Sequence, residues 1–259
     1  MAGEDLTDRV AIITGASRGI GRAIAVQLIN RGAIAVLTSR KQADLDLVAQ
    51  EINGADGDRA VAIAAHSGKL DQLQAVVDET MRRFGRIDVL VNNAATNPYF
   101  GPILDADLSV LDKTIDTNFM GALNLIKLVI KAWMGEHGGV IINVASVTGL
   151  RPAPGLGIYG LSKAMLIALT AELSHELAPQ HIRINAVAPG VIQTRFAEAL
   201  WGNPAILERI LRDTPMARIG TIDEVANAVA FLVSDAASYV TGQTIAIDGG
   251  MTASPLSYR

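Results

Sequence analysis

The 259-residue chain predicts an α/β fold: one doubly wound parallel sheet of about seven strands, flanked by helices. Three observations carry this reading. Short β-branched apolar runs alternate with helically spaced segments from end to end. The runs are continuously apolar, so both faces are buried, as a parallel sheet between helix layers requires. The strand–helix unit recurs about every 30 residues, the length of a right-handed crossover unit.

Taken in order, the expected strands are Val10–Thr14, Ile34–Thr38, Ala60–Ala64, Ile87–Val91, Val140–Val144, Arg183–Val187 and Thr244–Ile247. Each is a short apolar run bounded by turn or helix signals. The intervening helical spacings are Ile20–Arg31, Ala43–Asn53, Leu70–Phe84, Leu108–Met134, Ser162–Leu177 and Ile222–Ser234. Pro and Gly cluster at Asn97–Pro102, Arg151–Gly157 and Ala188–Gly190, each just beyond a strand, where open parallel sheets bind ligands. No linker, internal repeat or low-complexity tract divides the chain. One domain, 1–259, is expected, with a substrate-loop segment at 190–215.

Composition narrows the chemistry. Apolar residues make up 50% and charged residues 19%, so a large core can form and disorder is excluded. A net charge of −4 argues against a nucleic-acid partner. There is no cysteine, which excludes disulfides, thiolate metal sites and a cysteine nucleophile. His66, His137, His175 and His181 are scattered, so no metal is expected. The acidic, polar start is unlike a secretory signal, and Lys127 and Lys131 interrupt the most apolar helix. The C-terminal Ser-Tyr-Arg is not a Ser-Lys-Leu address, leaving no membrane span and a cytoplasmic location as the expectation.

The first strand runs into Thr14-Gly15-Ala16-Ser17-Arg18-Gly19-Ile20-Gly21 and then a helix. Gly15 permits the tight exit, Gly19 lets backbone N–H groups approach a pyrophosphate, and Gly21 lets the helix pack close to the sheet. The helix N-terminus adds partial positive charge. Gly15, Ser17, Arg18, Gly19 and Ile20 are thus candidate cofactor residues, against the alternative of a tight turn with no ligand. The Gly-x-x-x-Gly-x-Gly spacing resembles the short-chain dehydrogenase/reductase family, and the resemblance covers essentially the whole chain. It implies a Rossmann-like fold and a nicotinamide cofactor.

After the second strand, Ser39 occupies the position where NAD-binding folds place an acidic residue, and Arg40 follows it. Ser39 and Arg40, assisted by Arg18, would accept a 2′-phosphate, so the cofactor expected is NADP(H). A solvated surface charge is the alternative for Arg40. Asn92-Asn93-Ala94-Ala95 resembles the family's Asn-Asn-Ala-Gly, which implies that Asn92 and Ala94 lie along the cofactor. His66 stands where the family often has an adenine-contacting Asp.

Tyr159 and Lys163 are spaced i, i+4, on one helical face. With Ser146 upstream and Asn118 in the long helix, they match the family's Asn-Ser-Tyr-Lys tetrad in chain order. Reducing a ketone needs hydride at carbon and a proton at the developing alkoxide, and a free tyrosine is a poor proton shuttle near neutral pH. A fixed charge at Lys163 would favour phenolate, and Ser146 would stabilise charge on the substrate oxygen. The resemblance implies that Lys163 also bonds the nicotinamide ribose and that Asn118 positions a water. Pro189-Gly190-Val191-Ile192-Gln193-Thr194 resembles the family's Pro-Gly loop, which assigns Pro189, Gly190, Ile192 and Thr194 to the cofactor, the last two at its carboxamide.

Tyr99, Phe100, Leu150, Leu156, Phe196, Leu200 and Trp201 fall in the segments expected around the nicotinamide, which suits a small apolar or aromatic carbonyl. Within the family, Ser39-Arg40-Lys41-Gln42, His66, Asn93-Ala94-Ala95, Asn97-Pro98-Tyr99-Phe100-Gly101 and Leu177-Ala178-Pro179 are similar to the NADP-dependent carbonyl (retinal) reductase type. 3-Oxoacyl-ACP reductases are the rival, with Arg151, Arg195, Arg209 and Arg212 as candidates for meeting an acidic carrier. Enoyl reductases space Tyr and Lys more widely. A non-catalytic NADP-binding redox sensor is the alternative from another class; such proteins typically lose the Tyr or the Lys. The apolar circumference of Leu108–Met134 and Ser162–Leu177 points to a subunit interface, and the family resemblance implies a homotetramer.

Overall fold

Seven strands lie side by side in a computed structural model that describes residues 5–54 and 57–253. They are β1 Val10–Thr14, β2 Ile34–Ser39, β3 Ala60–Ala64, β4 Val89–Asn92, β5 Gly139–Val144, β6 Ile182–Pro189 and β7 Thr244–Ile247. All pairings are parallel, in the order β3-β2-β1-β4-β5-β6-β7. The winding reverses between β1 and β4, which opens a crevice at the carboxyl ends of those two strands. The loops after β1 and β4 both end there.

Strand side chains alternate between two cores. Ala11, Ile13, Val89, Val91, Val140 and Ile142 face one side, with Ile24 and Leu28 of α1 (Gly19–Ile29) and Val225 and Val229 of α10 (Ile222–Val233). Val10, Ile12, Leu90 and Ile141 face the other, with Val76 and Val77 of α3 (Leu70–Phe84) and Leu125 and Val129 of α5 (Gly121–Val129). Burial on both faces is what made the strands read as continuous apolar runs. The remaining helices are α2 Gln42–Asn53, α4 Leu108–Ile115, α6 Gly135–His137, α7 Gly157–Leu177, α8 Glu198–Trp201 and α9 Pro204–Asp213.

Three elements differ from the sequence reading. The expected helix Leu108–Met134 is interrupted by five-residue π turns at Asp116–Met120 and Ile130–Met134, and a π turn inserts a residue into the helical register. Helix α7 begins at Gly157, five residues before the expected Ser162, and its first turn is closed by Gly160 N–H donating to the Leu156 carbonyl at 2.7 Å. The segment 190–215 holds α8 and α9. The start of α9 was signalled by Asn203-Pro204: the Asn203 side chain accepts from the N–H groups of Ala205 and Ile206, and proline fills the first helical position. Among the described residues, no helix is long and apolar enough to cross a membrane.

Candidate active site

The crevice begins with the turn out of β1. Gly15 has φ +67°, and a Cβ at Gly21 would stand 2.5 Å from both Asn93 Nδ2 and the Gly15 carbonyl oxygen, so the turn closes this tightly only with glycines. Arg18, at the N-cap of α1, makes no side-chain capping bond, so the first backbone N–H groups of an eleven-residue helix are left without a side-chain cap. Across the crevice the Thr14 hydroxyl accepts from the N–H groups of Asn93 and Ala94, both at 2.9 Å, and Asn93 Nδ2 donates to the Thr14 carbonyl at 2.8 Å. Asn93, which sequence reasoning did not single out, therefore fixes the two sides of the crevice. Asn92 points the other way and donates to Asn143 Oδ1 at 3.0 Å, tying β4 to β5.

At the end of β2, Ser39 is half-buried and Arg40 exposed. Among the described residues Arg18, Arg40 and Lys41 form no ion pair. Thr38 beside them carries the one buried side-chain oxygen in the described residues that lacks a hydrogen-bond partner. An uncapped helix N-terminus, cations without partners and an orphan hydroxyl fit an anionic, phosphate-bearing dinucleotide. His66 is occupied locally: its Nδ1 accepts from Gly68 N–H at 3.0 Å, the bond an aspartate would make in such a turn.

The tetrad predicted from sequence converges. Tyr159 and Lys163 lie one turn apart on α7, and Lys163 Nζ stands 5.6 Å from the Tyr159 ring centroid. Lys163 is 2% exposed and donates to the Val144 carbonyl at 2.7 Å; burial lowers its ammonium to about 8, so it stays mostly charged at neutral pH. Burial pushes the Tyr159 phenol above its usual value, while a hydrogen bond with Ser146 pulls the other way. The Ser146 oxygen accepts from Thr148 N–H at 3.2 Å and Thr148 Oγ1 at 2.9 Å. That leaves the Ser146 hydroxyl proton to be donated toward the phenol oxygen.

Asn118 sits in the first π turn, 1% exposed. Its Oδ1 accepts from Thr96 N–H at 2.7 Å, and its Nδ2 donates to the Thr96 carbonyl and to Ser162 Oγ, both at 3.0 Å. Ser162 in turn donates to the Tyr159 carbonyl at 2.7 Å. The Asn118 side chain thus braces the α7 turn between Tyr159 and Lys163. Thr148 and Ser162 were not legible beforehand, because a hydroxyl residue has no spacing signature.

The third wall follows β6. Gly190 N–H donates to the Ile247 carbonyl at 3.0 Å, Ile192 is buried and bridges Gly220, and Thr194 caps the short turn Arg195–Ala197. Trp201 Nε1 donates to the Thr194 carbonyl at 3.0 Å. Phe196, on that turn, reaches back to Tyr159 with ring centroids 5.8 Å apart.

Comparisons with known proteins agree with this fold. Residues 15–252 match a family model described as enoyl-(acyl carrier protein) reductase. Dehydrogenase/reductase SDR family member 4 of Oryctolagus cuniculus is 39% identical over 247 residues, 95% of each chain. The Homo sapiens protein of that name is 37% identical, covering 95% of this chain and 88% of its own. A gluconate 5-dehydrogenase from Burkholderia cenocepacia, solved with NADP and tartrate, superposes with a TM-score of 0.92 at 30% identity, covering 97% of this chain and 98% of its own. A short-chain type dehydrogenase/reductase from Mycobacterium ulcerans gives 0.92 at 29% identity, over 96% of this chain and 91% of its own. Motif, fold and relatives coincide: the chain belongs to the short-chain dehydrogenase/reductase family.

Proposed function

We propose that the chain is an NADPH-dependent reductase of ketone and aldehyde carbonyls, with Tyr159 as proton donor and residues 1–259 working as one domain. The observation that carries this reading is the phenol bonded to a hydroxyl whose acceptor capacity Thr148 already occupies, beside a buried ammonium. Gly15, Ser17, Arg18, Gly19 and Ile20 would hold the pyrophosphate, Ser39 and Arg40 the 2′-phosphate, Ala94 the middle of the dinucleotide with Asn92 bracing β4 behind it, Lys163 the nicotinamide ribose, and Pro189, Gly190, Ile192 and Thr194 the nicotinamide. The relative solved with NADP supports that choice of cofactor. When bound, NADPH supplies a hydride to the carbonyl carbon.

The chain's own residues handle the proton. Because burial raises the phenol, Tyr159 remains protonated through neutral pH and declines as a donor only on the alkaline side. With substrate bound, the Ser146 proton turns from the phenol oxygen to the substrate oxygen as it becomes anionic. The Lys163 ammonium stabilises the phenolate left when Tyr159 gives up its proton. Asn118, through Ser162, keeps Tyr159 and Lys163 in register on α7. In the oxidative direction Tyr159 is the base.

The substrate is a small apolar or aromatic carbonyl, bordered by Phe196, Phe100 and Leu150, with 190–215 as the substrate segment. The acyl carrier protein named in the family model's description, there with an enoyl group, supports the carrier of a second reading, a 3-oxoacyl thioester. Against it, Arg151 is engaged by the Met251 carbonyl, while Arg209 and Arg212 stay exposed, each 3.9 Å from the same Asp213. A homotetramer and a cytosolic location complete the proposal.

The test is NADPH oxidation with diketones, aromatic ketones, retinal and acetoacetyl thioesters. Tyr159→Phe should lower kcat about 10²- to 10⁴-fold with NADPH affinity retained. A variant keeping most of its turnover defeats the mechanism. Tight NADPH binding with no turnover of any carbonyl would favour a sensor.

A further inference from the structure

Phe196 is 57% exposed, yet its position is tightly determined. The turn that carries it is capped by Thr194, pinned by Trp201 Nε1 at 3.0 Å from the Thr194 carbonyl, and anchored upstream where Ile192 bridges Gly220. These contacts fix the backbone of the turn that presents the ring. It lies 5.8 Å from the Tyr159 ring, tilted by 47°, an edge-offset arrangement favourable for aromatic pairs. Contact with Tyr159 covers only part of it, and the rest of the ring is open.

A second exposed ring comes from another loop. Phe100, 63% exposed, rests against Gly155, where a Cβ would stand 2.7 Å from its Cζ, and Gly101 N–H donates to the Gly155 carbonyl at 3.0 Å. Gly155 lies just before α7 and so leads directly to Tyr159. Two pre-positioned aromatic rings thus approach the start of α7, and Phe196 is the one in contact with the proton donor. Rigid aromatic surface held ready beforehand binds at low ordering cost.

We infer that Phe196 is a specificity-determining residue, whose uncovered ring stacks on a flat aromatic group attached to the substrate carbonyl. This rests on the carbonyl-reductase reading and narrows its substrate class. Burial alone would accept a saturated ring as well as an aromatic one, whereas ring–ring geometry adds a preference beyond area.

Acetophenone and cyclohexyl methyl ketone separate the two effects, being methyl ketones close in size whose difference in conjugation is the same for every variant and cancels when ratios are compared. The ratio of their kcat/KM values, aromatic over saturated, should fall about three- to tenfold in Phe196→Leu and persist in Phe196→Tyr. An unchanged ratio in Phe196→Leu overturns the inference, as does an equal loss with both ketones, which would mark a merely structural role. If the wild-type protein reduces neither ketone, the carbonyl-reductase reading fails separately. Calorimetric binding of acetophenone to the NADP-loaded protein then decides: equal affinity in wild type and Phe196→Leu overturns the role of Phe196, and weaker binding in the variant supports it.

Discussion

On the proposed reading, Ser39 and Arg40 set which dinucleotide the crevice prefers. Arg40 is exposed and joins no ion pair among the described residues, so its charge remains available to a phosphate. Ser39→Asp combined with Arg40→Ala places a carboxylate where a 2′-phosphate would sit and removes the guanidinium. The NADPH-over-NADH ratio of kcat/KM should fall about 10- to 100-fold, the scale of one or two charge-assisted hydrogen bonds. A ratio that does not move would refute the assignment. At this scale the sequence was informative where residue type sets chemistry, as with Tyr159, Lys163 and Ser146. It could not separate Asn92 from Asn93, because strand alternation sends one to Asn143 on β5 and the other to Thr14 on β1.

At the scale of elements, helical periodicity located every helix of eleven residues or more, missed the ten-residue α9, and was blind to the π turn Asp116–Met120, since apolar spacing on either side reads as one continuous helix. That turn is where the third strand's exit loop meets the tetrad. A Cβ at Gly121 would stand 2.3 Å from the Ser67 carbonyl oxygen, a backbone atom that cannot rotate aside. The same turn holds Asn118 against Thr96 and Ser162. Gly121→Ala should therefore cost about 1–3 kcal/mol by overpacking. For a chain of this size, that lowers the melting temperature by about 2–12 °C, read by calorimetry. An unchanged melting temperature would mean the loop after β3 yields freely, and that Asn118 is not braced from that side.

Over the whole molecule, two of the places where large apolar side chains remain exposed lie on the faces that bear on assembly. Leu161 and Met165 stand one turn apart on α7, and Met120 adds to the exposed apolar surface of the neighbouring π turn. Phe231 on α10 and a fully exposed Tyr239 lie toward the β7 edge. Two distinct self-complementary patches are what a four-subunit assembly with crossed two-fold axes uses, one patch per interface. Leu161 and Met165 alternate along α7 with the inward-facing Tyr159 and Lys163, so one helix presents chemistry on one face and apolar surface on the other. Leu161→Glu with Met165→Glu would place four carboxylates near each α7-to-α7 contact, two from each copy. The proposed assembly predicts tetramers of the parent chain by sedimentation equilibrium, and dimers of the double variant held through the Phe231 and Tyr239 patch alone. Tetramers persisting in the double variant would show that α7 does not form an interface, leaving its exposed face to some other role.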